Sequence, residues 1–327
     1  MYRTDRIRRP LLLMLVVGAG LAPVTSTAQD YPSRPIRWII PYPTGGTSDF
    51  LARLIGQQLS ESLKQPIVID NRTGANGNIG TEVAAKAPAD GYTLLLVAST
   101  FTMNPAVYPK LPFDTAKDFT AVTTILWQPY WLSVHPSLAV TSVKDLIDTA
   151  RAKPGAIEYS SGGSGNATHI AAERFASMAK IKLTHVPYRG VGPAIVALLG
   201  GEVKLMFASS VAVQPHLKTG KIRVLAVTGK KRVAAMPDVP TVDEAGLRGF
   251  EEGNWQMVLV PAGTPAKTVS KLNAEIVRIL HTPEIVRQIE LTGSDVIANT
   301  PAQSNALVQA DLKKYGTLIK ALGIRLD

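Results

Sequence analysis

Short apolar segments alternate with amphipathic segments along most of this chain, and that alternation constrains its fold more than any other feature. Residues 93–98 are almost wholly apolar, as expected for a strand buried on both faces of a parallel sheet. The apolar residues of 49–64 instead recur at helical spacing. Strands and helices that alternate in this way predict an α/β fold with parallel sheets and right-handed crossovers. We predict further strands at residues 36–41, 66–69, 122–134, 157–160, 183–187, 203–208, 222–227 and 255–261, and further helices at 79–86, 143–153, 167–179, 194–199, 265–280, 283–291 and 301–322.

The alternating pattern occurs twice, and each copy is long enough to form a lobe. The 327-residue chain suits two domains of about 100–200 residues each. We predict a discontinuous first lobe from residues 29–115 plus 229–327, and a second lobe from residues 116–228. Each lobe is expected to be a mostly parallel sheet flanked by helices. Because the chain then crosses between the lobes more than once, the crossings predict a hinge that closes around a ligand.

The N-terminus has the organisation of a secretory signal peptide. Four arginines lie within residues 3–9, an apolar run follows at residues 11–22, and the small-residue segment Ser26-Thr27-Ala28 comes next. The apolar run is shorter than the ~20 residues that a membrane-spanning helix needs, although a retained anchor is the alternative. We therefore predict that residues 1–28 are a signal peptide, cleaved after Ala28, and that the mature protein is periplasmic.

Charge and composition narrow the possible function classes. The formal net charge is +10, and residues 1–28 contribute +3 of it, so the mature chain is near +7. A basic protein attracts anionic solutes, although a generally basic surface is an equally good interpretation. No run of Lys and Arg with interleaved aromatic residues follows the signal, so we predict no nucleic-acid partner. The sequence has no cysteine, which excludes disulfides, thiolate metal sites and a cysteine nucleophile.

Four polar loops follow predicted strands, which is where open parallel sheets bind their ligands. These loops are residues 41–49, 161–169, 187–192 and 208–210. Glycines allow a ligand to approach the backbone, and free N–H groups at a helix start attract an anion such as a carboxylate. Arg189 adds a guanidinium suited to bidentate pairing with a carboxylate, or else is a solvated surface residue. Each loop alone could be an ordinary strand-to-helix turn, but four of one type favour a binding site.

Motifs for nucleotide binding, catalysis and metal binding are incomplete. Gly163-Ser164-Gly165 lacks the third glycine and the later acid of a dinucleotide site. Residues 162–166 end in asparagine, where a nucleophile elbow needs glycine. The five histidines are not at metal-ligand spacing on one helix, so we predict neither a metal nor a cofactor. A secreted hydrolase using Ser164 and His169 is the alternative from another class, but five residues apart at a helix start they do not face each other as nucleophile and base.

Six segments together carry a resemblance to a known family. They read PYPTGGTSD (41–49), NRTGANGNIG (71–80), ADGYTL (89–94), YSSGGSGNATH (159–169), VPYRG (186–190) and PDVPT (237–241). With these segments the mature chain resembles the Bug family, the extracytoplasmic binding receptors of tripartite tricarboxylate transporters. The resemblance implies a type II periplasmic-binding-protein fold with two hinged lobes and no catalytic activity.

The resemblance also implies partners and ligand contacts. It implies a small carboxylate ligand, a two-component membrane permease and a monomeric receptor; a receptor that signals to a membrane sensor is the alternative. Ala208 stands where the family often has an acid that orients amino or hydroxyl groups, so we predict a preference for a plain carboxylate over an amino acid. The ligand-binding residues that we predict are Tyr42, Thr44, Gly45, Gly46, Thr47, Asp49, Ser99, Ser161, Gly165, Asn166, Thr168, His169, Tyr188, Arg189, Ala208 and Ser209.

Overall fold

Two β-sheets that share one long strand organise the protein, as shown by a computed structural model that describes residues 1–2 and 31–326. Apart from its first two residues, the expected signal peptide lies outside the described residues. In chain order the elements are β1 (Ile36–Ile40), α1 (Thr47–Leu63), β2 (Ile67–Asn71), α2 (Asn78–Ala85), β3 (Thr93–Ala98), α3 (Thr100–Val107), β4 (Phe119–Val134), α4 (Val143–Ala152), β5 (Glu158–Ser161), α5 (Ala167–Ala179), β6 (Thr184–Pro187), α6 (Val191–Gly200), β7 (Leu205–Ser209), α7 (Ser210–Val213), β8 (Arg223–Val227), β9 (Gly253–Pro261), α8 (Ala266–Leu280), α9 (Pro283–Glu290), β10 (Asp295–Val296) and α10 (Pro301–Leu322).

The shared strand is β4. Its first part, as far as Pro129, pairs with β9 in the first sheet, whose order is β2-β1-β3-β9-β4. From Tyr130 onward β4 pairs with β7 in the second sheet, whose order is β4-β7-β5-β6. The short strand β10 and strand β8 also pair with β4.

Parallel pairing is confined to the outer strands of each sheet. Strands β1, β2 and β3 are parallel, and so are β5, β6 and β7. Strands β4 and β9 pair antiparallel with their neighbours. A crossover helix returns a chain in parallel, whereas β4 runs from the first sheet into the second, and β9 follows the segment that returns the chain to the first sheet. The predicted α/β fold is confirmed, and its sheets have antiparallel strands where they join.

Both sheets are covered by helices on two faces, as the apolar strands predicted. In β3, Leu94 and Leu96 pack into one apolar cluster, while Leu95 and Val97 pack into another on the opposite face. In β7, Leu205 and Phe207 likewise lie in a different cluster from Met206 and Ala208. Successive side chains of a strand point to opposite faces, so a strand covered on both sides is apolar throughout.

Helix α3 is the largest element that the sequence pattern did not predict. The sequence pattern assigns residues 99–121 to no element, and Pro105 lies in the middle of the helix. Proline removes a backbone donor and normally ends a helix. Here α3 packs against α10, and Phe101, Met103 and Val107 are buried, so tertiary contacts outweigh the local preference.

The expected lobe boundaries at residues 115/116 and 228/229 stay a prediction. The strand β4 takes part in both sheets, and residues 228–252 connect β8 of the second sheet to β9 of the first. Among the helices of residues 31–326, none combines the length and the hydrophobicity needed to cross a membrane.

Candidate ligand-binding cleft

Loops at the carboxyl ends of β1, β5, β6 and β7 converge on one cleft of about 850 Å³. The first residues of α1, α5 and α6 line this cleft. Because the first N–H groups of a helix have no intrahelical partner, these helix starts present backbone donors to the cleft. Their dipoles also favour negative charge at this end.

The first loop, residues 41–46, is held by a carboxylate behind it. Asp49 is buried and accepts hydrogen bonds from the Gly45 N–H at 3.1 Å and from Arg53 at 3.0 Å. The Asn71 amide donates a third at 3.2 Å. Burial alone would raise the pKa of Asp49, but the hydrogen bonds from Arg53, Gly45 and Asn71 outweigh it and lower the pKa. Asp49 therefore stays ionised and braces the loop from behind rather than lining the cleft.

The second loop, residues 161–166, is braced by a serine and two stacked histidines. The Ser161 hydroxyl accepts from the Gly163 N–H at 3.1 Å and lies 2.6 Å from His185 Nε2. His169 Nδ1 accepts from the Gly165 N–H at 3.0 Å. The two imidazole rings stack with centroids 3.9 Å apart.

Burial keeps both imidazoles neutral. It lowers the pKa of His169, together with the nearby His185, to about 3, and it lowers the pKa of His185 to about 4. A neutral imidazole has one nitrogen free to accept, which is what the Gly165 N–H requires. Ser161, Gly165 and His169 do not line the cleft. They lie behind it, where they hold the loop.

The third loop, residues 187–190, leads into α6 and contributes Arg189, the only Lys or Arg of residues 31–326 that lines the cleft. The N-cap of α6 is Gly190, which has φ +116° and no side-chain cap. A Cβ at this position would lie 3.1 Å from Pro43, across the cleft. Because Val191 and Gly192 are the first residues of α6, their N–H groups have no intrahelical partners. Arg189 is exposed, lines the cleft and makes no ion pair within residues 31–326.

The floor of the cleft is formed by polar side chains on the two joining strands. Gln128 of β4 and Asn254 and Gln256 of β9 are all buried and all line the cleft. The sequence pattern did not predict them. A signal existed, because buried glutamine and asparagine are rare in strands as apolar as 253–261. No Asp or Glu of residues 31–326 lines the cleft.

Two contacts join the loops of the two sheets at the cleft mouth. The Asn76 amide donates to the Ser164 carbonyl at 2.7 Å. Pro43 lies against Gly190, as described above. Asn76 has φ +54° and sits in a short 3₁₀ helix, Ala75–Gly77, a conformation that asparagine tolerates better than most residues. The two sides of the cleft are thus in contact in this structure.

The predicted site residues divide between the cleft wall and the layer behind it. Asp49, Ser161, Gly165 and His169 brace loops, as described. Ser99 is buried and holds Asn254, and Ala208 is buried in the apolar cluster around Trp131. Trp255 of β9 lies away from the cleft, because its indole donates to Asp311 at 2.7 Å on the far side of the strand. The predicted residues that line the cleft are Tyr42, Thr44, Gly45, Gly46, Thr47, Asn166, Thr168, Tyr188, Arg189 and Ser209.

Ser164 and His169 do not form a nucleophile–base pair. His169 Nδ1 is occupied by the Gly165 N–H, and its Nε2 lies 4.0 Å from Glu173. Ser164 lines the cleft, but His169 is turned away from it. The buried Ser161 is close to His185, but it has no accessible surface through which a substrate could reach it.

Comparison with known families identifies the chain. Residues 51–324 match the model of the tripartite tricarboxylate transporter family receptor. The chain belongs to this family. The resemblance to Bug proteins is confirmed: the receptor is 34% identical to BugT of Bordetella pertussis over 321 residues, 96% of this chain and 98% of BugT.

Solved structures of related proteins share the receptor's fold. An R. palustris protein solved with adipate is 38% identical, with a TM-score of 0.87, and the match covers 91% of the receptor and 100% of that chain. MatC from Rhodopseudomonas palustris, solved with bound malate, is 30% identical, with a TM-score of 0.82, over 88% of the receptor and 100% of that chain. The family consists of solute-binding receptors.

Proposed function

We propose that this receptor captures a small carboxylate in the cleft between its two sheets and delivers it to a two-component membrane permease. One observation carries the proposal. The cleft presents unpaired helix N–H groups and Arg189, and no acidic side chain of residues 31–326 lines it. Such a surface stabilises an anion. The adipate and malate bound to the related proteins are dicarboxylates, which supports the same ligand class.

A carboxylate that binds only the folded receptor raises its melting temperature. We expect adipate or malate to raise it by about 2–4 °C for each kcal/mol of binding free energy gained. Adipamide and hexanediol are matched controls, because they keep the carbon chain and lose the charge. A screen in which only the uncharged compounds shift the melting temperature would show that the ligand class is wrong.

The compartment and the assembly state are also proposals. The family's binding proteins are periplasmic, and we propose that export removes residues 1–28. The mass of the receptor recovered from the periplasm should then correspond to a chain that begins at Gln29. We further propose that the receptor acts as a monomer without catalysis; light scattering after gel filtration tests the assembly state.

A further inference from the structure

Two amide side chains on β9 face the cleft from the same side of the strand. Asn254 and Gln256 are two residues apart, so their side chains point to the same face. Both line the cleft, and they are only 9% and 1% exposed. A polar side chain so deeply buried normally has its hydrogen-bonding groups satisfied, so the partners of each atom indicate what the amides are for.

The carbonyl oxygens of both amides are already occupied. Asn254 Oδ1 accepts from the backbone N–H of Ser99 at 3.0 Å and from the Ser99 hydroxyl at 2.9 Å. Because a backbone N–H can only donate, Asn254 must turn its oxygen toward Ser99 and its amino group away. Gln256 Oε1 accepts from the Ser48 hydroxyl at 2.7 Å.

The amino groups of both amides are left for the cleft. Neither has a hydrogen-bond partner within residues 31–326. Neither is among the unpartnered polar atoms that are sealed from solvent in that part of the chain, so both open onto the cleft. The neighbouring Gln128 differs, because its amino group lies 3.3 Å from the Thr47 hydroxyl and is used there.

We infer that Asn254 and Gln256 form a donor-only subsite that selects an end group able only to accept hydrogen bonds, such as a carboxylate or a keto oxygen, and that disfavours an ammonium group. The inference rests on the proposed function and narrows its ligand class. An ammonium placed here would meet four N–H donors and, within residues 31–326, no acidic side chain lining the cleft. Ser99 is a positioning residue, since it acts on the ligand through Asn254.

The test compares the affinities for adipate and diaminoadipate. Diaminoadipate carries an ammonium group beside each carboxylate, so either binding orientation brings an ammonium group to the subsite. Isothermal titration calorimetry should show that the wild-type receptor binds adipate at least about tenfold more tightly than it binds diaminoadipate. Asn254→Asp and Gln256→Glu replace an amino donor by an acceptor of the same size, and their remaining oxygen still accepts from Ser99 or Ser48. Each variant should bind adipate about tenfold or more less tightly than the wild type does. The ratio of adipate affinity to diaminoadipate affinity should fall or reverse.

Gln58→Glu on the exposed face of α1 is the matched control, because it adds the same charge away from the cleft. Gln256→Met removes the donors without adding charge and should weaken adipate while leaving the diaminoadipate affinity unchanged. If the wild type binds adipate, but Asn254→Asp and Gln256→Glu bind both ligands like Gln58→Glu, the subsite is refuted and the proposed function stands. If the wild type binds neither adipate nor malate, the proposed function fails and the subsite with it.

Discussion

Single residues behind the cleft fix the geometry of the residues that face it. Asp49 holds Gly45, His169 holds Gly165, and Ser99 holds Asn254. Each of these bracing residues is buried; Asp49 and His169 accept from a backbone N–H, and Ser99 donates its own backbone N–H to the Asn254 side chain. Preorganised donors lose less conformational entropy when a ligand binds. Asp49, His169 and Ser99 form a bracing layer that contributes to affinity without touching the ligand.

The stacked histidines make stability depend on pH. Burial lowers the folded-state pKa of His169 to about 3 and of His185 to about 4, against an ordinary value of 6.5. Between these values the unfolded chain binds more protons than the folded chain, so the free energy of unfolding falls as pH falls from about 6.5 toward 4. Urea unfolding at several pH values measures the slope. His169→Asn keeps an acceptor for Gly165 and should flatten the slope, whereas His281→Asn, at an exposed histidine, should not.

Arg189 belongs to the cleft wall rather than to the bracing layer. Because it makes no ion pair within residues 31–326, Arg189→Ala should leave the melting temperature of the ligand-free receptor unchanged. Adipate affinity should fall about tenfold, since a charge-assisted hydrogen bond is lost. Calorimetric titration measures the affinity, and Arg287→Ala on the surface of α9 is the control. Unaltered adipate binding in Arg189→Ala would remove this residue from the site.

The β4–β9 pair is the element on which the two sheets meet. Gly253 begins β9 opposite Pro129, and a Cβ there would lie 2.3 Å from the Trp127 ring. The Trp127 ring therefore packs directly on the β9 backbone, and the close approach depends on the missing side chain.

Gly253→Ala should destabilise the protein by about 1–3 kcal/mol, because the methyl group overpacks against Trp127. Gly316→Ala is a control for which the free energy of unfolding should change in the opposite direction. Gly316 lies inside α10 with nothing within 4 Å of an added Cβ, so alanine should stabilise it by about 0.5–1 kcal/mol. Chemical unfolding measures both variants. Equal stability of Gly253→Ala and wild type would mean that the Trp127 packing is looser than the structure shows.

Periodicity predicted most elements, and the residues at 93–98, 167–179 and 301–322 match the observed bounds. The misses have physical causes. Helix α3 contains Pro105, and its stability comes from packing against α10, which no local pattern records. Asn254 and Gln256 are visible as polar residues in an apolar strand, but their role depends on Ser99 and Ser48, which are far away in sequence. Loop composition located the cleft. It could not separate the residues that line the cleft from the buried residues behind them, because both kinds are polar and lie in the same loops.

At the scale of the whole molecule, a buried ion pair ties the second sheet to the segment that leads back to the first. Arg174 of α5 donates to Glu252 and to the Glu251 carbonyl, just before β9 begins. The Glu252 side chain is 1% exposed and that of Arg174 is 21% exposed. Tyr315 of α10 donates to the same carboxylate at 3.2 Å.

Arg174→Met should lower the free energy of unfolding by about 3–5 kcal/mol, because it leaves the Glu252 charge buried without its partner. Adding Glu252→Gln removes that charge and should recover much of the loss. Lys144→Met breaks the exposed pair with Asp148 and should cost no more than about 1 kcal/mol. Urea unfolding compares the variants; a loss in Arg174→Met no larger than that in Lys144→Met would show that the pair is not a structural tie.

A strand common to both sheets limits how the halves of the receptor can move. At Pro129 the partner of β4 changes from β9 to β7, and proline supplies no N–H to either ladder. Sliding one half along the other would break backbone pairing along the whole strand, whereas bending at this junction leaves the ladders on both sides intact. The receptor should therefore open by bending at this junction, and opening must break the hydrogen bond between the Asn76 amide and the Ser164 carbonyl.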